Sequence, residues 1–381
     1  MRTSTSTSIS DIDPAAWDAL EASGSPFLRH AFLATLERTG CVGAGTGWLS
    51  APITLHDQRG LVAAAPAYVK AHSFGEFVFD FSWAQAYARH GLAYYPKLVL
   101  GVPFTPVSGA RLLVRPDVDG ADARSRLIAA IRDFAESRGL SSVHALFVSE
   151  ADRTAFEAAG WLARRDVQFH WHNRGYRDFD HYLESFTAEK RKKTRRERRR
   201  VAEDGITFET LHGGDIDRRA IDEAYDLHRG TFLQHHNEPY LTRACFRALP
   251  TAMGDAFMIK RARQHGETVA VAVFFRGGDA LYGRYWGAYD QHHSLHFETC
   301  YHQGVDYCIE HGIARFESGA QGEHKVARGF SPSTTWSMHW IVDPRFRAAI
   351  ADYLEREGED REEYARFIDA HVPYKKERMA Q

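Results

Sequence analysis

No stretch of the 381 residues comes near eighteen consecutive apolar side chains, so the sequence offers no membrane-spanning helix. The N-terminal MRTSTSTSISDIDPAAW has no apolar run of seven or more residues to serve as a signal-peptide core, and a cytoplasmic location is expected. Cysteine is sparse. Cys41, Cys245, Cys300 and Cys308 form no CxxC pair, and eight residues of helix would hold Cys300 and Cys308 too far apart for a disulfide, so reduced thiols are expected. Neither GxSxG nor GxxxxGK[ST] occurs, which removes the commonest hydrolase and nucleotide-triphosphate signals. GAGTG at 43–47 lacks dinucleotide-loop spacing, and HHSLH (His292, His293, His296) sits in no HExxH pattern, so no metal is expected.

What is present is ordinary globular material, 44% hydrophobic and 26% charged, and rich in aromatics at 13%. The length favours two domains. A formal net charge of −2 hides an asymmetry: residues 187–200, TAEKRKKTRRERRR, hold nine Lys or Arg and two Glu.

Periodicity predicts helices at 14–22, 29–37, 121–138, 217–232, 240–252 and 295–311, and strands at 48–56, 61–70 and 76–82. Later strands are VHALFV, VQFHWH, AFMIKRAR, TVAVAVFFR, ALYGRYWGAY and IARFES, several joined by turn signals such as QHGE and GGD. Gly160 and Gly329, Trp161 and Phe330, His170 and His339, and Trp171 and Trp340 are each 169 residues apart without a gap. This predicts a duplicated unit of about 170 residues with a boundary near 173–186.

Within 187–204, Thr187 reads as an N-cap, Glu189 suits the positive end of a helix and Gly205 suits its exit. An arginine-rich helix matches phosphate geometry through forked donors, leaving RNA, a nucleotide- or pyrophosphate-linked substrate and an anionic membrane face as partners. Residues 313–330, IARFESGAQGEHKVARGF, place Glu317, Gln321, Glu323, His324 and Lys325 at a strand end, where α/β folds commonly bind ligands. In LYGRYWGA, Tyr282, Arg284 and Trp286 share one strand face.

SFGEFVFDFSWAQAY (73–87), YYPKL (94–98), PFTPVSGARLL (103–113), EKRKKTRRERRRVAEDGI (189–206), PYLT (239–242), LYGRYWG (281–287), LHFETCYHQG (295–304) and FESGAQGEHKVARGF (316–330) together resemble the bacterial FemAB-like predicted N-acyltransferases. The resemblance implies two tandem GNAT-like α/β domains, each a mixed, mostly antiparallel sheet flanked by helices, here 1–175 and 176–381 with the basic helix in the second. It implies amide formation on an amino group. Fem peptidyltransferases use aminoacyl-tRNA to extend peptidoglycan precursors and carry a Lys/Arg-rich segment that Lys190, Arg191 and Arg195 loosely match. The pyrophosphate loop of ordinary acetyl-CoA enzymes, Q/R-x-x-G-x-G/A, is absent, so a larger carrier is favoured over acetyl-CoA.

The expected reaction is therefore N-acyl transfer from aminoacyl-tRNA or a comparable donor to a small-molecule or cell-wall-precursor amine, without a bound cofactor. Glu317 or Glu323 would accept the amine proton, Lys325 or Arg284 would stabilise the oxyanion, and His324 or Tyr282 would protonate the leaving group. Lys190, Arg191, Arg195, Gln321, Trp286, Tyr95 and Lys97 are assigned to substrate binding. The rivals are an acyl-CoA-dependent transferase of a small amine and a noncatalytic RNA- or membrane-binding protein on the same scaffold.

Overall fold

The computed structural model describes residues 1–21, 23–234, 236–289, 294–320 and 322–375. The chain divides into two units, each assembled from two separated segments: Met1–Asp166 with Thr334–Glu362, and Val167–Ser333 with Glu363–Gln381.

The first unit carries strands β1 (Arg2–Thr5), β2 (Trp48–Ser50), β3 (Ile53–Asp57), β4 (Gly60–Ala65), β5 (Ala67–Lys70), β6 (Lys97–Leu100), β7 (Leu113–Val114) and β8 (Ser142–Ala145). A small sheet has the order β1-β3-β4-β7, and a second runs β2-β5-β6-β8 with only the β6/β8 pair parallel. The helix Gly120–Ser137 starts at Asp119, whose carboxylate accepts the Ala121 and Asp122 N–H groups, and buries Leu127, Ile128 and Ile131 against Ile53, Val62 and Leu98. The strands expected at 48–56 and 61–70 are each broken, at Ala51–Pro52 and at Pro66, because proline has no N–H to give a ladder. The helix expected at 14–22 is the short Pro14–Asp18. No strand forms at 76–82. That segment is a loop leading into the helix Phe81–Arg89, for a reason that lies in its acidic residues.

Within β9 (Leu162–His172) the chain passes into the second unit, where β10 (Ile206–His212), β11 (Phe257–Gln264), β12 (Glu267–Gly277) and β13 (Ala280–Ala288) form an antiparallel ladder. The β11–β12 turn, His265–Gly266, has both residues at positive φ, which suits the right-handed twist of a two-residue hairpin. β14 (Arg315–Glu317) joins β13 in parallel and is closed by the antiparallel end of β9. β15 (Ser331–Ile341) returns the chain to the first unit, where it closes β8 in the same sense. Both units therefore consist of a mixed, mostly antiparallel α/β sheet in which a parallel pair, β6/β8 or β13/β14, meets an antiparallel closing strand. Of the four pairs spaced 169 residues apart, His170 with His339 and Trp171 with Trp340 lie on those closing strands, while Gly160 with Gly329 and Trp161 with Phe330 lie just ahead of them; His170 faces Glu317 and His339 faces His144.

Candidate active site

β13 and β14 pair at only three positions, Ala280 with Arg315, Leu281 with Phe316 and Tyr282 with Glu317. Past that point β13 stays with β12 while the chain leaves β14 at Ser318, and the two strands part. Gly283 keeps the opening narrow: a Cβ there would stand 3.3 Å from the Phe316 ring and 3.5 Å from Ser318 Cα. The opening holds a cavity of about 170 Å3 lined by Arg284, Trp286, His296, Cys300, Tyr301 and Ser318. Cys300 and Tyr301 reach it from a π-helical turn, Glu298–His302, inserted into the expected 295–311 helix. Such single turns often mark functional sites.

Lys325 sits in the 3-10 turn Glu323–Arg328, 1% exposed, and its Nζ donates to Gly319 O at 2.6 Å. Burial pushes its amine down to about 7, Cys300 opposing and the Arg284 charge adding. Glu317 is also buried; Arg315 Nε donates to its Oε1 at 2.9 Å, while its Oε2 has no hydrogen-bond partner and stands 3.8 Å from His170 Nε2. Burial raises the Glu317 carboxyl, and Arg315 and Arg284 pull the other way. Burial likewise raises the neighbouring Tyr282 phenol, with Glu317 adding to it. His324 binds Tyr301 Oη through Nε2 at 2.8 Å, and burial followed by the charges of Lys325 and Arg328 lowers its imidazole. Trp286 packs edge-on to His296, which burial pushes down to about 4.

Glu323 is exposed and accepts from Tyr364 Oη at 2.7 Å. Gln321, like His292 and His293, lies outside the described residues. Among the described residues no group of three or more His, Cys, Asp or Glu could hold a metal ion.

The basic segment forms the helix Ala188–Glu203 with Gly205 at positive φ beyond it, but the Thr187 side chain makes no capping bond. Its buried face is Thr194, Glu197 and Val201. Glu197 accepts from Arg328 Nη2 at 3.1 Å, and Arg328 also donates to His324 O at 2.7 Å and stacks 3.4 Å over the Phe297 ring. Arg198 binds Asp306 at 2.6 Å and lies over Phe179. Arg195 meets Asp180 at 3.0 Å, whereas Lys190, Arg191, Lys192, Arg196 and Arg200 make no ion pair among the described residues. The helix thus presents unneutralised cations on one side and is tied on the other to the turn that carries Lys325. Sequence reasoning missed Glu197 and Arg328; the 194, 197, 201 spacing of the buried face was the available signal.

Tyr95 and Lys97 belong to the first unit. Lys97 is fully buried, its Nζ bound to Glu76 at 2.8 Å, to Asp80 and to Ser73 Oγ at 2.9 Å; Tyr95 Oη shares Ser73 Oγ at 2.8 Å. Burial pulls the Lys97 ammonium down, but Glu76 and Asp80 more than offset it. Glu76 is pushed up to about 7 by burial. In this unit the parting of β6 and β8 is filled. Val102 and Val107, in the segment that follows β6, are buried, and Arg111 donates to Leu146 O at 2.7 Å and Val107 O at 2.6 Å. Asp152 holds the Arg111 N–H at 2.5 Å.

A family model described as FemAB-like, peptidoglycan biosynthesis/recognition, matches residues 8–376. No curated protein sequence matches. Among solved structures, FemX is similar over 92% of this chain and 100% of its own, at 11% identity and a TM-score of 0.56. The C-terminal domain of a putative lysylphosphatidylglycerol synthetase from Agrobacterium fabrum covers 92% and 97%, at 13% identity and 0.55. L-PGS from Bacillus licheniformis covers 85% and 95%, at 13% and 0.51. With the family model spanning nearly all of the sequence and both units built on the expected sheet, the chain belongs to the FemAB-like family of peptidoglycan biosynthesis and recognition.

Proposed function

We propose that the chain forms an amide by moving an acyl or aminoacyl group from an activated carrier, aminoacyl-tRNA foremost, to the amino group of a cell-wall precursor, and that the step occurs in the second unit. The observation that carries this reading is the open parting of β13 and β14 beside a buried lysine, against the filled one of β6 and β8. The cavity, about 170 Å3, suits a small acyl group rather than a whole carrier. The carrier's phosphates would lie on the unpaired cations of Ala188–Glu203.

Burial lowers the Lys325 amine to about 7, which fits its Nζ to take the proton of the attacking amine. Arg284 faces the developing oxyanion, and Tyr282 or His324 protonates the leaving oxygen or sulfur. Glu317 holds Arg315 and balances the local positive charge. The test is amide formation, read by mass spectrometry, from a pool of charged tRNA and separately from a panel of acyl-CoA thioesters, with a mixed amine extract. Product from charged tRNA alone supports the reading, and silence with both donors contradicts it. A second reading, an acyl-CoA donor, has one observation in its favour: no carboxylate lines the cavity among the described residues, so an aminoacyl ammonium would find only the faces of Trp286 and Tyr301. Product from thioesters alone selects it.

A further inference from the structure

Residues 72–81, HSFGEFVFDF, turn their polarity inside out. Glu76 and Asp80 are 3% and 2% exposed, whereas Phe74, Phe79 and Phe81 stand 60%, 53% and 39% exposed. Phe81 meets both of the other rings, Phe74 at 5.8 Å and Phe79, stacked, at 6.2 Å between centroids.

This presentation is built into the fold. Lys97 draws both carboxylates inward, Lys70 Nζ donates to Phe74 O at 3.2 Å, and Arg164 Nη1 donates to Phe79 O at 2.8 Å. Gly75 bends at positive φ where a Cβ would meet the Phe104 ring at 2.7 Å. The only acidic residues between 71 and 96 are Glu76 and Asp80, so this stretch shows no carboxylate to solvent. It does show Arg89 and Leu92.

The three rings expose roughly 300 Å2 at 150–250 Å2 per aromatic side chain. A stable protein interface buries about 800 Å2 on each partner, so a second protein or a second copy of this chain would find too little surface. A bilayer needs no matched partner surface, takes aromatic rings at headgroup depth and, when its lipids are anionic, favours a segment that shows them no carboxylate, the nearby Glu357 being held by Arg164. We propose that Phe74, Phe79 and Phe81 form an anchor that docks the chain reversibly on an anionic phospholipid membrane. The inference rests on the first unit and stands independently of the acyl-transfer reading.

The test is co-sedimentation with vesicles of phosphatidylglycerol and phosphatidylcholine, and with phosphatidylcholine alone. The expected result is binding stronger on the anionic vesicles, at least about tenfold weaker for F74S/F79S/F81S, and unchanged for F367S, which removes a lone exposed ring of the second unit. F79S alone is expected to lose about threefold, which keeps the test open should the triple variant fold poorly. Wild-type protein that stays in the supernatant with both vesicles overturns the proposal. So does binding of F74S/F79S/F81S within twofold of wild type, which would assign membrane attachment to the basic helix instead.

Discussion

Lys325 is held in place at a cost that can be measured. Its amine titrates near 7 in the folded chain and near 10.4 in an unfolded one, so at about 1.4 kcal/mol per pH unit, charging it in place costs about 5 kcal/mol. Between those two values the unfolded chain carries the extra proton, and stability rises with pH; below about 7 the full penalty applies. Lys325→Met keeps the length and removes the charge, at the loss of the hydrogen bond to Gly319 O, worth about 1.5–3 kcal/mol. The variant is therefore expected to be more stable than wild type by about 2–3 kcal/mol at pH 6, with the difference shrinking by about 3 kcal/mol at pH 9. Denaturant unfolding at both pH values reads this directly. A variant less stable than wild type at pH 6, or a difference that does not move with pH, refutes the reasoning. A buried lysine that weakens the fold while serving the site is the trade between stability and activity that such positions show.

Charge reversal at Lys190, Arg191 and Arg195 is expected to raise KM at least about tenfold and flatten its salt dependence while leaving kcat near wild type, as steady-state kinetics at several ionic strengths would show. Glu197→Ala leaves the Arg328 guanidinium buried without its carboxylate, which should cost about 3–5 kcal/mol in denaturant unfolding and lower kcat by loosening the turn of Lys325. Lys97→Met strands Glu76 and Asp80 without their cation, and a loss of about 3–5 kcal/mol is expected at pH 8. That loss should shrink at pH 5, where the raised Glu76 carboxyl takes up a proton, and thermal melts at the two pH values check it.

Local signals were legible in the sequence because they depend on neighbours. The apolar stripe of Gly120–Ser137, the His265–Gly266 turn and the Gly-rich exit from β14 could all be read from a few residues, though the Asp119 cap was not. The spacing of 169 residues also pointed to two matched units, and His170 with Trp171 and His339 with Trp340 do occupy equivalent strands. What could not be read is long-range. Each unit is closed by a strand from the other half of the chain, β9 or β15, and strand partners that distant leave no local mark. The alternation EFVFDF looks like a half-buried strand, yet Lys97 reverses which residues go inside. Glu197 was one acid in a run of bases, and Arg328, 131 residues later, with His302 3.7 Å away, shows why it is buried. Of the residues assigned to the site, Arg284, Trp286, Tyr282, Glu317, His324 and Lys325 gather around the opening of β13 and β14, because LYGRYWG and FESGAQGEHK flank it.

The central claim is that amide formation uses the buried Lys325 amine of the second unit. Turnover with the donor that gives product, compared between wild type and Lys325→Met at pH 7.5, tests it most directly. The account predicts a loss of about 100- to 10,000-fold in kcat from a variant that remains folded, the range for removing a general base. Turnover within twofold of wild type would contradict it.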